Sequence, residues 1–398
     1  MLYDCLPCRV DVNSSLRRLS EDEQGHRPVS EASFDDIRGV LGDVPVYRVE
    51  QVRHAVYRTP TTTFDKIQTL PATMRVLLGR QFSYEALETV RSEMSQDGTQ
   101  KTLFRASDGA VVETVQMLTE RSDSTTICLS SQSGCGMGCR FCATGDIGLT
   151  RNLTAGEIVD QFLYFRRRSK ASRVPDRAVF MGMGEPLANL SALEPAVRAL
   201  VDPSRVGLGA RRVTISTVGL PKGIDALVDW NLPVGLAISL HAPVDDLRAT
   251  LVPIAKRFPL DELMAVSSRF QRRVRRRVTY EYTMLDGVND SVGQAVDLAV
   301  LLRGQRCHVN LIPFNPYPGS LYRTTPRLRL RAFRDALHAQ GVRATIRRTR
   351  GRDISGACGQ LHAGVLASPR APGAMGKPKT NSLDTRNDIS GKARSGKI

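Results

Sequence analysis

The chain has 398 residues, 41% of them hydrophobic, and carries 56 lysines and arginines against 40 acidic residues, a formal net charge of +16. That length buries a full core, in one large domain with appendages or in two, and no apolar run approaches the ~18–20 residues that cross a bilayer. Met1–Cys8 lacks a basic stretch leading into an apolar one, so the expectation is a soluble cytoplasmic protein with neither membrane anchor nor secretory signal.

Residues 1–43 are polar with little periodicity and read as a poorly ordered extension. From 44 to 100, apolar positions recur at helical spacing (Val46, Val49, Val52, Val56, then Leu70, Met74, Leu77, Leu78) and predict a small helical domain. Within 101–124, Thr102–Ala106 and Val111–Val115 flank Ser107-Asp108-Gly109 and predict a β-hairpin linker. From 125 to 366 short apolar runs alternate with helical stretches. Strands are expected at Thr126–Ser130, Ala178–Met183, Val213–Ser216, Val234–Ser239, Val278–Met284, Val309–Ile312 and Arg343–Ile346. Helices are expected over 155–168, opened by a capping box of Thr154 and Glu157, and over about 222–229, 261–270, 291–303 and 328–339. Such alternation means parallel strands with helical crossovers, an α/β fold that is either a partial barrel or an open doubly wound sheet. In a barrel the chemistry sits at the carboxyl ends of the strands. Residues 367–398 read as a disordered basic tail.

The positive charge is distributed, at Arg166–Arg168, Arg211-Arg212, Arg272–Arg277 (interrupted by Val274) and Arg347–Arg352, which favours a polyanionic partner such as nucleic acid over a mere basic tail. Eight cysteines in a chain expected in the cytoplasm point to metal or redox chemistry rather than a disulfide scaffold. Cys135, Cys139 and Cys142 form a C-x3-C-x2-C. Structural zinc wants four ligands, whereas three thiolates on a [4Fe–4S] cubane leave one iron open. An open iron can chelate the amino and carboxylate groups of S-adenosylmethionine, whose sulfonium bond then breaks on electron transfer. A zinc site completed by a distant ligand is the alternative, and the position directly after a strand opening a βα series favours the radical chemistry.

Phe180–Pro186 ends a buried strand in Gly182, Gly184 and Glu185, where backbone could approach the cofactor's amino group. Ser216, Ser239-Leu240-His241 and Asn315 also follow strands, and their shared position points to a cofactor cleft. Alone, each is as readily a capping residue, and His241 is not read as a metal ligand. Cys128 lies on the strand before the cluster loop and Cys358 sits between Ala357 and Gly359; composition alone makes both small buried hydrophobes.

These motifs, together with Val112-Glu113-Thr114-Val115, Cys128–Gln132, Asn310–Pro313 and Ala357–Leu361, resemble the RlmN/Cfr family of radical S-adenosylmethionine RNA methyltransferases over about residues 45–365. The resemblance implies a partial (β/α)6 barrel preceded by a helical RNA-binding domain. It implies methylation of an adenine ring carbon in 23S rRNA at the peptidyl-transferase centre. Under it Cys135, Cys139 and Cys142 bind the cluster, and Gly184, Glu185, Ser216, Ser239, Leu240, His241 and Asn315 contact S-adenosylmethionine. Cys358 is the cysteine that is itself methylated, Glu113 the proton acceptor, and Cys128 the residue that resolves the protein–RNA adduct through a transient disulfide. A ring carbon of adenine is not nucleophilic, which is why a thiolate must take the methyl group first. An electron donor such as flavodoxin or ferredoxin and a monomeric state are also expected.

Two branches of the family differ in the carbon they modify. Cys142–Leu149, Asn152–Thr154 and Ile215–Gly219 look like the Cfr branch, which modifies carbon 8 and confers resistance to ribosome-targeting antibiotics. Pro186 and Ile312–Pro316 look like the RlmN branch, which modifies carbon 2 and extends to tRNA. The balance of motifs leans to the Cfr-like branch. Rival readings are a radical enzyme acting on a peptide or metabolite, and a non-catalytic zinc-containing RNA-binding protein. Cys5, Cys8 and Cys307 receive no role.

Overall fold

The computed structural model describes residues 27–119, 124–170 and 173–362. The tail expected at 367–398 and most of the N-terminal extension lie outside the described residues. The extension's end is not irregular, however. Ser33 caps the helix Phe34–Leu41 in a reciprocal box with Asp36, and only Ile37 and Leu41 of that helix are buried, too few for a periodic signal. Helices Val46–Arg58 and Ala72–Gln81 follow. The expected helical domain stops there, because Glu88–Met94 is a strand, β1.

β1 pairs antiparallel with β2 (Gln100–Arg105), β2 with β3 (Val111–Thr119) and β3 with β4 (Ser124–Cys128). The hairpin anticipated from the Ser107-Asp108-Gly109 turn is thus the middle of a four-strand antiparallel run. A small hairpin, β5 (Gln132–Gly134) with β6 (Leu149–Asn152), brackets the cysteine loop. The parallel series then runs β7 (Arg177–Phe180), β8 (Val213–Thr217), β9 (Gly235–Ser239), β10 (Val278–Met284), β11 (Cys307–Pro313) and β12 (Ala344–Ile346). All strands but β5 and β6 make one sheet in the order β1-β2-β3-β4-β7-β8-β9-β10-β11-β12, with β1 and β12 at its two ends among the described residues. From β4 onward the pairing is parallel, an open partial barrel wound by helical crossovers.

The crossover helix Ala155–Arg168 starts at Thr154, whose hydroxyl accepts from Glu157 N while the Glu157 carboxylate accepts from Thr154 N. It is buried along almost its whole length because it lies between the sheet and the N-terminal helices. There Arg167 is buried, paired with Asp160 at 3.1 Å, and Asp160 also accepts from Ala86 N at 2.8 Å. Val49, Val52 and Val56 belong to the same continuous core as Phe162, Phe180 and Phe333, so the first helices pack as part of the barrel's own core. Leu190–Val201 and Asp245–Leu251 are further crossover helices that the sequence pattern did not reveal. Among the described residues no helix is long and apolar enough to cross a membrane.

Candidate active site

The carboxyl ends of β7, β8, β9, β10 and β11, with the loop after β4, wall a single cleft. Its frame is the fit between the segments leaving β4 and β7. Ser130 Oγ donates to Glu113 O at 2.6 Å and accepts from Met183 N at 2.8 Å, and Ser131 N donates to Met183 O at 2.9 Å. A Cβ on Gly182 would fall 2.5 Å from Ser130 Oγ. One on Gly184, where φ is +98°, would fall 2.6 Å from Gln132 Cβ. What fills the space of the missing side chains is protein, so glycine is required here by strand-to-strand contact before any ligand.

That contact delivers Glu185. Its N–H donates to Gln132 Oε1 at 2.8 Å, its Oε1 accepts from Leu187 N at 3.0 Å and its Oε2 from Val218 N at 2.8 Å. Burial pushes its carboxyl up to about 7, against those lowering contacts. His241, in the left-handed region at φ +63°, accepts from Thr283 N through Nδ1 at 3.0 Å and stacks edge-on against Phe141. Burial drives its pKa down to about 3, so the ring is neutral, and with Nδ1 accepting, Nε2 carries the proton as a donor. Gly184, Ser216, Ser239 and Asn315 line the cleft with these two residues. Leu240 does not. It is fully buried, its N–H donates to Glu281 O, and its carbonyl accepts from Arg248.

Cys135, Cys139 and Cys142 line the same cleft. Cys135 N donates to Gly148 O at 2.8 Å and Arg140 N to Leu251 O at 3.0 Å, while Gly145 packs so closely that a Cβ would sit 3.0 Å from Cys139 N. Burial pushes the Cys135 thiol up to about 12 and raises Cys139 and Cys142 as well, with neighbouring thiols adding to the effect at Cys135 and Cys139. Three half-buried thiols crowding one another are what a positively charged iron centre relieves. Among the described residues no three His, Cys, Asp or Glu side chains converge on a single ion. Three thiols on a cleft wall suit a [4Fe–4S] cluster, three of its irons taking one each and the fourth left open.

Cys358 is exposed and lines this cleft too. The helix that follows Cys142 holds its loop: Ala143 N donates to Gly359 O at 2.8 Å, and Thr144 Oγ1 to Leu361 O at 2.6 Å. Asn315 Nδ2 donates to Cys358 O at 3.3 Å. Cys358 also borders a second cavity of about 550 Å³, which Cys128 lines as well. Val115, Met117, Met181 and Ile312 give that cavity apolar walls, and Arg177, Arg347, Arg348 and Arg350 surround it with positive charge. Cys128 is buried, and burial, with Cys358 adding, pushes its thiol up to about 12 while Arg347 pulls the other way. Glu113 reaches neither cavity. It is buried on β3, paired with Lys101 at 3.1 Å, and accepts from His362 N at 2.7 Å.

Three residues had no signal in the sequence. Glu281, which sits level with Ser239 and Asn310 across the sheet, and Thr283 line the cleft from mid-strand β10. Arg248, fully buried, donates to Val218 O and Leu240 O and so ties the loops after β8 and β9 together. The register of the strands, not the local sequence, brings Glu281 and Thr283 to the cleft.

Residues 129–299 match the radical SAM superfamily. A probable dual-specificity RNA methyltransferase RlmN of Thermus thermophilus is 44% identical over 335 residues, 83% of this chain and 94% of that protein. The protein of the same name from Salinispora tropica is 45% identical, over 81% of this chain and 88% of its own length. The crystal structure of a radical SAM methyltransferase from Sphaerobacter thermophilus superposes with a TM-score of 0.82 at 46% identity, covering 85% of this chain and 99% of the other. The chain belongs to the RlmN family of radical S-adenosylmethionine RNA methyltransferases. Enzymes of this family use a [4Fe–4S] cluster and S-adenosylmethionine, and RNA is their substrate class.

Proposed function

We propose that the protein methylates an adenine ring carbon of 23S rRNA through a methyl group carried on Cys358. The observation that carries this reading is the double exposure of Cys358, which borders both the cleft of the three thiols and the basic cavity of Cys128. Cys135, Cys139 and Cys142 would hold the cluster, and with S-adenosylmethionine bound the pair supplies a carbon radical able to take a hydrogen atom from a methyl group.

The chain's own residues divide the remaining work. Cys358, as a thiolate, takes a methyl group from a sulfonium donor. Gly184, Glu185, Ser216, Ser239, His241 and Asn315 would bind that donor, Glu185 accepting its ammonium and His241 donating through Nε2; Leu240 would contribute only through backbone. The apolar walls of the second cavity receive an adenine turned out of its stack, and its arginines hold the flanking phosphates. Once the Cys358 carbon is joined to the ring, the adduct radical would give one electron back to the cluster held by Cys135, Cys139 and Cys142, and Glu113 accepts the ring proton after the segment at His362 lifts away. Cys128 then attacks the Cys358 sulfur. A sulfur–sulfur bond forms, the sulfur–carbon bond breaks, and its electron pair goes to the carbon, which is protonated to a methyl group. A small one-electron carrier such as flavodoxin or ferredoxin would supply the reducing electron.

The motifs of both branches are present, and the RlmN name of the relatives above supports carbon 2, with tRNA as a second substrate, as our reading over the Cfr-like carbon 8. Mapping methylated adenines in 23S rRNA and tRNA from cells with and without the gene tests this. A 2-methyladenine that disappears with the gene is the expected result; an 8-methyladenine restores the Cfr-like assignment, and unchanged RNA removes RNA methylation.

A further inference from the structure

The turn between β1 and β2 lies far from either cavity in sequence, yet it grips the base of the Cys358 loop with two reciprocal carboxylates. Asp353 reaches from the loop to the turn, accepting from Ser95 Oγ at 2.5 Å and Gln96 N at 3.2 Å. Asp97 reaches the other way, accepting from Gly351 N at 3.0 Å and from its own turn at Thr99 N, 2.9 Å. Gly351 lies at φ +61°, and a Cβ there would fall 2.8 Å from Thr99 Cγ2, so turn and loop are also in van der Waals contact. Beyond Cys358 the loop is tied again, at Gly359 O by Ala143, at Leu361 O by Thr144 and at His362 N by Glu113. Between the two sets of ties lies the segment that carries Cys358, with Ser355 and Gly359 both in the left-handed region. Nothing in the methyl-transfer chemistry calls for Ser95, Asp97 or Asp353.

We propose that the β1–β2 turn is a clamp that positions Cys358: the Ser95–Asp97 turn and the Gly351–Asp353 loop base lock together so that the loop pivots from a fixed foot, and Cys358 meets both cavities in turn. The inference rests on the carrier role given to Cys358. A loop of this length without a fixed foot would expose its thiol more and bring it to Cys128 less often, since closing contact from an unanchored end costs entropy. Ser95, Asp97 and Asp353 are therefore positioning residues, acting through Cys358 rather than on substrate.

The test uses the full chain, wild type against Asp353→Ala and Asp97→Ala, with peptide mass spectrometry as the readout and only molecules whose Cys358 carries no methyl group counted. Two rates are followed. One is alkylation of Cys358 by iodoacetamide relative to Cys307, a thiol on β11 outside the loop. The other is formation of the Cys128–Cys358 disulfide with diamide, which takes up two electrons and two protons as the two thiols join. Breaking the clamp should raise the Cys358-to-Cys307 alkylation ratio at least threefold and slow disulfide formation at least tenfold. Asp353→Asn, which keeps an acceptor for the turn, should recover at least half of the wild-type disulfide rate; a general loosening of the fold would raise both alkylation rates together. Alkylation ratios within twofold of wild type in both alanine variants would overturn the clamp. A wild-type protein that alkylates normally at Cys358 but forms no disulfide with Cys128 would instead overturn the carrier reading on which it rests.

Discussion

Replacing Glu185 by glutamine tests whether the cleft imposes the electrostatics described. The side chain is buried, its burial outweighs three lowering contacts, and its carboxyl is raised from 4.5 to about 7. A group whose folded pKa lies above its unfolded value stabilises fully below the unfolded pKa, and the contribution is lost as pH rises through the folded one. At about 1.36 kcal/mol per tenfold change in proton affinity, the displacement is worth roughly 3 kcal/mol. His241 acts in the opposite sense. Its pKa is depressed from 6.5 to about 3, so its contribution is present above 6.5 and lost as pH falls. The wild-type curve alone blends the two, whereas the difference between wild type and Glu185→Gln cancels the histidine. Urea unfolding of the metal-free full chain, followed by circular dichroism from pH 4.5 to 8, gives that difference directly. Wild type should lose roughly 3 kcal/mol relative to the glutamine variant across this range. A difference flat to within about 0.5 kcal/mol would refute the burial argument.

Gly184→Ala must accept a positive φ and a Cβ 2.6 Å from Gln132, at about 1–2 kcal/mol for the backbone and about 1–3 kcal/mol for overpacking. Gly209→Ala, with no atom within 4 Å of the added carbon, serves as the control, and equal urea midpoints for the two variants would contradict the β4–β7 contact. Arg348→Ala and Arg350→Ala should weaken binding of an rRNA fragment and each lower the slope of log affinity against log salt by about 0.7–0.9 if it loses one phosphate contact. Filter binding over a salt series checks this, and unchanged slopes would remove the basic cavity as the RNA seat.

The barrel was legible because its strands are short β-branched runs between capped helices. Val278–Met284 and Ala155–Arg168 coincide with their expected bounds. β1 was not legible: Glu88–Met94 is a largely exposed edge strand with charges along it, so no alternation marks it. Leu190–Val201 was hidden by Pro195 inside an apolar run, and Asp245–Leu251 by its brevity. Cys135, Cys139 and Cys142 announce themselves by local spacing. The meeting of Cys358 with both cavities does not, because it depends on a loop held by Ala143, Thr144 and Asn315 from distant parts of the chain. Glu113 shows the converse, a residue prominent in sequence that the fold covers with Lys101 and His362.

The claim on which the rest depends is that carbon passes to RNA by way of the Cys358 sulfur. It is most directly tested in the full-length Cys128→Ala protein isolated from cells, by mass spectrometry of the peptide containing Cys358 after nuclease digestion. A nucleotide joined to that sulfur through one carbon is the expected finding, because the step that frees the RNA has been removed. An unmodified Cys358 in a protein that still delivers methylated RNA would contradict it.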